Sequence, residues 1–337
     1  MTTTHSSSGL HDIKMNSGTV IAPVAPLTWS RNLMKAAYEL LAVEVFPTLR
    51  REEGGIAVCA ASPGTGEHGG GVISRRGRRK MWSGLIGRHE RCAIPLPADN
   101  ALSLRHVIVI ASVTDDGCAI FRALDLRSGT GLFDAGGVPH LSVVANGPLQ
   151  LRLGNSALFA LPLRDLFRGD RAAAYDEIDW PQPVPWLPDA PPEKRVDELS
   201  KLSQRSSVVS LTSVRRERAE GRGHSGVSRA GELVVEIGGV RADIDVSEIA
   251  LRTGVLFGRY PRCDINCENA PMSQLVSRVH ALFLTVDDRV RVFNTGSTNG
   301  VEHGGVDADG MALAKDRDTR LSLGSGDSIT WRPRGRD

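Results

Sequence analysis

Two stretches of this 337-residue chain carry the same landmarks in the same order, and that repetition restricts the folds open to it more than any bulk property does. Gly87-Arg88-His89-Glu90-Arg91-Cys92-Ala93-Ile94 aligns with Gly258-Arg259-Tyr260-Pro261-Arg262-Cys263-Asp264-Ile265. Ser103-Leu104-Arg105-His106 aligns with Ser277-Arg278-Val279-His280, and Ser128-Gly129-Thr130-Gly131 with Ser297-Thr298-Asn299-Gly300. Asp115-Asp116 and Asp287-Asp288 each fall where a hairpin would turn, and Leu151-Arg152-Leu153-Gly154 matches Leu321-Ser322-Leu323-Gly324. Self-similarity of this kind reads as one structural unit built twice.

The unit is a β-structure. Between the landmarks lie short apolar runs rich in β-branched residues, separated by polar turns about every 8–12 residues, the pattern of a sandwich. Trp82 to Ile86, Leu104 to Ala111, Ala119 to Leu126, Leu141 to Val144, Leu149 to Leu153 and Ala157 to Leu163 are such runs in the first stretch. Glu232 to Gly238, Val240 to Ile244, Gly254 to Phe257, Val279 to Val286, Val290 to Phe293, Arg320 to Leu323 and Ser328 to Trp331 are their counterparts in the second. The expectation is an all-β protein with two antiparallel β-sandwiches at 54–165 and 231–334. A long Pro/Ser-rich linker at 166–230 joins them: the proline run from Pro181 to Pro192 suits neither helix nor central strand, and the charged, serine-rich stretch after it suits disorder. Residues 1–26 are small, polar and aperiodic, and are expected to be disordered. A helix is expected over 27–50, capped by Ser30 and ended by Pro47, with Met34, Ala37, Tyr38, Leu41 and Val45 on one face packing on the following domain.

Other motifs are excluded by their chemistry. Pro63-Gly64-Thr65-Gly66-Glu67-His68-Gly69-Gly70-Gly71 lacks the Gly-Lys-Ser/Thr ending through which a nucleotide loop reaches phosphate and magnesium, and reads as a flexible hairpin loop. Arg75-Arg76-Gly77-Arg78-Arg79-Lys80 has no aromatic platform beside it and reads as a solvated basic loop, so no nucleic-acid partner is expected. The net charge of +2 provides no overall drive toward polyanions. Five cysteines without a C-x-x-C pair suit neither a disulfide framework nor a zinc site, and read as buried, reduced thiols. With no signal-peptide pattern and no apolar run long enough to span a bilayer, a cytoplasmic protein without membrane insertion is expected. No nucleotide loop, metal-ligand cluster or nucleophile elbow is present, so neither enzymatic activity nor a cofactor is expected.

The second set of landmarks has the chemistry of an anion site. A phosphate carries nearly two negative charges and three acceptor oxygens. Arg259 offers a planar fork of donors, Ser277 a hydroxyl at a strand start, Arg278 a second guanidinium, and Thr298 and Asn299 a further donor and a side-chain amide suited to a peptide backbone. Two or three charge-assisted bonds at roughly 1.5–3 kcal/mol each, less ordering costs, correspond to a micromolar Kd, about −8 kcal/mol.

The combination Gly-Arg, Ser-x-x-His and Ser-Thr-Asn-Gly over residues 232–333 resembles the forkhead-associated (FHA) domain family. The resemblance implies an eleven-stranded sandwich that binds phosphothreonine peptides through Arg259, Ser277, Thr298 and Asn299, with Gly258, His280 and Gly300 bracing the loops. It implies phosphothreonine-containing partners, either substrates of a Ser/Thr kinase or the kinase itself, and hence an adaptor in signalling. The interval from Arg259 to Ser277 is 18 residues against 15 from Arg88 to Ser103, which affects peptide preference more than phosphate binding. The first stretch is a degenerate copy: Arg88 and Ser103 remain, but Gly129 and Thr130 stand where the Thr-Asn pair would be. That leaves it between a weak second site, with Thr130 donating a hydroxyl, and a scaffolding role. The alternative for the whole chain is a phosphate-independent assembly protein using both sandwiches as interaction modules. Thr212 in the linker is expected to be unmodified, the alternative being that a kinase modifies it and the second sandwich reads it in cis or in trans.

Overall fold

A computed structural model of the chain describes residues 27–49, 55–73, 81–113, 119–185, 208–210, 228–324 and 326–334. The expected turn at Asp115-Asp116, the basic run at 75–80, Cys118 and Thr212 lie outside them. The described chain is mostly β, in antiparallel sheets, with few helices.

The N-terminal helix is Leu27–Glu44, so Ser30 lies within its first turn and does not cap it. Pro47 comes after the helix, inside a 3-10 turn, Phe46–Thr48, whose first positions need no donor and so tolerate proline. Met34, Ala37, Tyr38, Leu41 and Val45 are buried against Ala57, Cys59, Phe159 and Leu161 of the first sandwich.

In the first sandwich one sheet runs Glu67–Ile73, Ile56–Ser62, Ser156–Pro162, Leu149–Leu153, Leu132–Phe133, Pro139–His140. Its facing sheet runs Pro183–Pro185, Val208–Ser210, Ser142–Ala145, Ala119–Asp125, Val107–Val113, Met81–Gly87, Ile94–Pro95. Glu67–Ile73 is therefore a strand along Ile56–Ser62, where the glycines suggested a loop; only the turn at 63–66 is irregular. Every residue of Ile56–Ser62 and Ser156–Pro162 is buried, because alternate side chains face the sandwich interior and the helix.

The second sandwich repeats this pairing. Val240–Ser247, Arg229–Ile237, Ser328–Pro333, Thr319–Ser322, Glu302–His303 and Val306–Asp307 form one sheet. Val255–Phe257, Ala281–Val286, Arg289–Asn294 and Met311–Ala312 form the other. The described residues here make ten strands, fewer than the eleven the resemblance implies. Ile265 pairs with Phe257 only as an isolated parallel bridge, at the position where Ile94–Pro95 pairs in parallel with Met81–Gly87. Asp287 and Asp288 both have positive φ (50° and 54°), the geometry of a two-residue hairpin.

The chain stays on the first sandwich beyond residue 165. Leu166, Ala173, Tyr175 and Ile178 are buried, the Tyr38 hydroxyl donates to the Ala173 carbonyl (2.8 Å), and Trp180 Nε1 donates to the Tyr175 carbonyl (2.9 Å). The expected linker at 166–230 is thus folded as far as Pro185, held by the aromatic contacts of Tyr175 and Trp180 with Tyr38 and of Trp180 with Phe159. Val208–Ser210 returns as a strand beside Ser142–Ala145.

The two sandwiches pack sheet against sheet. Ile108, Ile110, Leu124 and Leu126 of the first merge with Leu256, Leu282, Leu284 and Phe293 of the second in one buried cluster. Val107, Val109, Ala281 and Phe283 point the other way, into their own sandwich cores. Both faces of these strands are covered, so they are written as continuous apolar runs. Arg122 Nη1 donates across the junction to the carbonyls of Arg252 (3.0 Å) and Thr285 (3.4 Å), and Arg127 pairs with Asp264 (3.4 Å). Burial pushes both guanidinium groups down to about 10.

Candidate functional site

The loops at one end of the second sandwich are tied into a single surface. The Arg259 N–H donates to the Ser277 carbonyl (3.1 Å) and the Tyr260 N–H to the Arg278 carbonyl (2.8 Å), which lays 258–260 alongside 277–278. The approach is close enough that a Cβ on Gly258 would stand 2.3 Å from the Arg278 carbonyl oxygen, so no larger residue fits. Gly258 serves this contact, whereas Gly300, with φ +73°, makes the turn that closes the last loop.

His280 is fully buried and links two of these loops. Its Nδ1 accepts from the Ser277 N–H (3.0 Å), so the proton sits on Nε2 and is donated to the Gly300 carbonyl (2.8 Å). Burial lowers its pKa, and the Arg105 guanidinium adds to the lowering against the opposing pull of the Gly300 carbonyl. The neutral ring is the one both bonds require. Its role is to hold the loops in place.

On this frame the polar groups converge. Arg259 Nε donates to the Val276 carbonyl and its Nη1 to Gln274 Oε1 (2.9 Å), so the guanidinium lies across the 274–277 loop with Nη2 unpartnered among the described residues. Ser277 Oγ accepts from the Thr298 N–H (3.1 Å), leaving the hydroxyl proton for an outside acceptor. Asn299 Nδ2 donates to the Leu275 carbonyl (2.8 Å), so the amide oxygen remains to accept from a ligand backbone. Thr298, Asn299 and Arg278 are exposed. Arg259, Ser277, Thr298 and Asn299 therefore meet on one surface, with Arg278 next to Ser277.

The first sandwich reproduces most of these contacts at matching positions, with no counterpart of the Arg259–Gln274 bond among the described residues. Arg88 Nε donates to the Leu102 carbonyl (2.7 Å), His106 Nδ1 accepts from the Ser103 N–H (3.1 Å), and His106 Nε2 donates to the Gly131 carbonyl (2.8 Å). Gly129 N–H donates to Ser103 Oγ (3.4 Å). Cys92 and Cys263 both donate Sγ–H to the carbonyl two residues before the histidine, each at 3.4 Å. Thr130, where Asn299 stands, donates its hydroxyl to the Ala101 carbonyl (2.8 Å), the position matching Leu275. The loop brace is kept, but the hydroxyl is thereby occupied internally and no amide oxygen is left over.

Three residues that the landmark comparison did not single out also belong to this surface. Gln274 positions Arg259. Arg262 Nη1 donates to the Ser128 carbonyl of the first sandwich (3.3 Å), and Arg105 of the first sandwich leans onto Gly296 of the second, where an added Cβ would meet its Nε at 2.8 Å. The continuous apolar runs at 107–110 and 281–284 signalled only that both faces of these strands are covered.

Of the thiols, Cys59, Cys92 and Cys263 are buried and burial raises their pKa, to about 12 for Cys59 and about 11 for Cys263, whereas Cys267 is exposed and departs from the expected buried state. Among the described residues no group of three or more His, Cys, Asp or Glu is placed to hold a metal ion, and no helix is long and apolar enough to cross a membrane.

A family model for the FHA domain matches residues 255–331. No curated protein sequence matches the chain. Similar solved structures include the Slr1951 protein from Synechocystis sp. at 24% identity (TM-score 0.26), covering 31% of this chain and 98% of that one. The Mycobacterium tuberculosis Rv1747 FHA-1 structure is 18% identical (TM-score 0.24), with 32% of this chain and 99% of that one covered. The yeast Dun1 FHA domain, in complex with a doubly phosphorylated (pT) peptide derived from Rad53 SCD1, is 20% identical (TM-score 0.25), with 35% and 85% covered.

Proposed function

We propose that the chain is a phosphothreonine-reading adaptor in Ser/Thr-kinase signalling, acting in the cytoplasm without cofactor or catalysis, and that its second sandwich holds the phosphate. The observation that carries this reading is the convergence of Arg259, the outward Ser277 hydroxyl and the Asn299 amide oxygen on a frame braced by neutral His280. A planar guanidinium beside a hydroxyl donor suits a dianionic phosphate, and the amide oxygen suits the N–H of a bound peptide. The partner is a protein carrying phosphothreonine, a kinase or its substrate. The first sandwich is a degenerate copy of the same domain, supported by its matching strand order and loop contacts.

Titration of the full chain with a library of phosphothreonine peptides tests the reading. Micromolar binding that disappears on dephosphorylation and in Arg259→Ala is expected. Equal affinity for the unphosphorylated peptides refutes it. The second reading, phosphate-independent assembly, draws on the extensive apolar packing between the sandwiches. It predicts partner complexes whose light scattering is indifferent to phosphatase.

A further inference from the structure

Six arginines that form no ion pair with a described residue lie on the two loop sets, while others without one, such as Arg289 and Arg317, lie elsewhere. Arg229, Arg241, Arg320 and Arg332, on the sheets of the second sandwich, all have carboxylate partners. Arg88, Arg91 and Arg105 of the first sandwich and Arg259, Arg262 and Arg278 of the second form no ion pair with any described residue. Arg91, Arg262 and Arg278 are exposed and the other three half-buried. Guanidinium groups held near one another without countercharge repel, and an arriving anion relieves that repulsion.

These cations are joined by two direct bridges between the sandwiches. On one, Arg262 Nη1 donates to the Ser128 carbonyl, and the next residue, Gly129, donates its N–H to Ser103 Oγ. On the other, Arg105 packs on Gly296 at the base of the Thr298-Asn299 loop. The buried cluster behind, in which Leu124 and Leu282 both pack against Gly254, fixes the two loop sets relative to each other. Moreover, Ser103 is positioned as Ser277 is, and the Arg88 Nε as the Arg259 Nε is, so the first set has the makings of an anion site although it lacks the Gln274 contact and the Asn299 oxygen.

We propose that the two loop sets form one composite face that reads a single peptide segment phosphorylated at two residues. This inference rests on the phosphothreonine reading of the second sandwich. The first phosphothreonine sits on Arg259 and Ser277 and supplies the backbone contact at Asn299. The second phosphate sits on Arg88 and Ser103, where the missing backbone clamp matters less because the peptide is already tethered. Arg262 and Arg105 line the path between. Arg262 is three residues from Arg259 and touches Ser128, whose neighbour Gly129 donates to Ser103, so one extended peptide segment is expected to reach both positions.

The test is fluorescence anisotropy of the full chain with labelled peptides carrying one phosphothreonine, or two separated by three to nine residues. Tethering makes the second contact intramolecular, so at the best spacing the doubly phosphorylated peptide is expected to bind at least about tenfold tighter than the single one. Arg88→Ala is expected to bring that ratio to about one, and Arg262→Glu, an exposed position, to lower it without altering the circular dichroism spectrum. Replacing the second phosphothreonine by glutamate is expected to lose most of the gain. If no spacing exceeds twofold, or the gain survives Arg88→Ala, or glutamate serves as well as phosphate, the composite face is refuted while the single-site reading stands. If the singly phosphorylated peptide fails to bind the wild-type chain at all, the underlying reading has failed instead.

Discussion

Leu124→Ala gives a direct measure of how far the two sandwiches depend on each other. Leu124 belongs to the first sandwich, is 1% exposed, and reaches across to the second, where a Cβ added at Gly254 would stand 2.5 Å from its Cδ1 and 3.0 Å from Leu282 Cδ1. Truncating a fully buried leucine costs about 2–5 kcal/mol, from lost transfer energy and the cavity left behind. The cavity here opens between domains and can partly close by a small rigid-body shift, which places the expected cost at the lower end, about 2 kcal/mol. Hydrogen exchange resolved by peptide mass spectrometry reads the outcome on each side. If the sandwiches open together, amides in Ala281–Val286 of the second sandwich exchange about 30-fold faster in the variant, in step with those in Ala119–Asp125. An effect confined to the first sandwich, with 281–286 unchanged, would show that the domains open independently and would refute the coupling argument.

Other perturbations test the loops. Asn299→Ala removes the bond to the Leu275 carbonyl together with the free amide oxygen, and is expected to weaken phosphopeptide binding about tenfold in titration; Thr130→Val at the matching position loses only a brace and is expected to leave singly phosphorylated binding within about twofold. Gly254→Ala forces a side chain into a φ of +95° against Leu124 and Leu282, and a fall in melting temperature of several degrees is expected by calorimetry. Because burial holds the His280 pKa below its ordinary 6.5, the unfolded chain takes up the proton first as pH falls. The contribution of His280 to stability is therefore complete above about pH 6.5 and is lost as pH drops toward the folded-state value. The melting-temperature drop between about pH 7.5 and 5.5 is expected to shrink in His280→Gln.

The strands were legible because each alternates or runs apolar between turn residues; Leu149–Leu153 is found at the residues the pattern marks. The landmarks located the loop residues for the same reason: Gly258, Ser277, His280 and Gly300 are constrained by backbone contacts, and such contacts demand particular residue types. Glu67–Ile73 was obscured because three consecutive glycines lack the side-chain alternation that marks a strand, and register with Ile56–Ser62 alone makes it one. The folded stretch to Pro185 was obscured because its burial depends on Tyr38, more than a hundred residues away. The neighbourhood of the two loop sets was hidden for a related reason: a doubly apolar strand states that both faces are covered but does not say by what.

The packing between the sandwiches has a consequence for what the second one does alone. Ile108 and Leu282 each stand two residues beyond the aligned histidines, Ile110 and Leu284 four beyond, and Leu124 and Phe293 each precede the residue whose side chain caps the 128 or 297 N–H. The same patch of each unit meets its own counterpart, which is the self-complementary arrangement of a two-fold homodimer. The chain thus holds in one molecule two like faces that meet as the halves of such a dimer would. A second sandwich expressed alone would carry Leu256, Leu282, Leu284 and Phe293 uncovered, and is expected to pair with itself, restoring in two chains the arrangement that this protein holds in one.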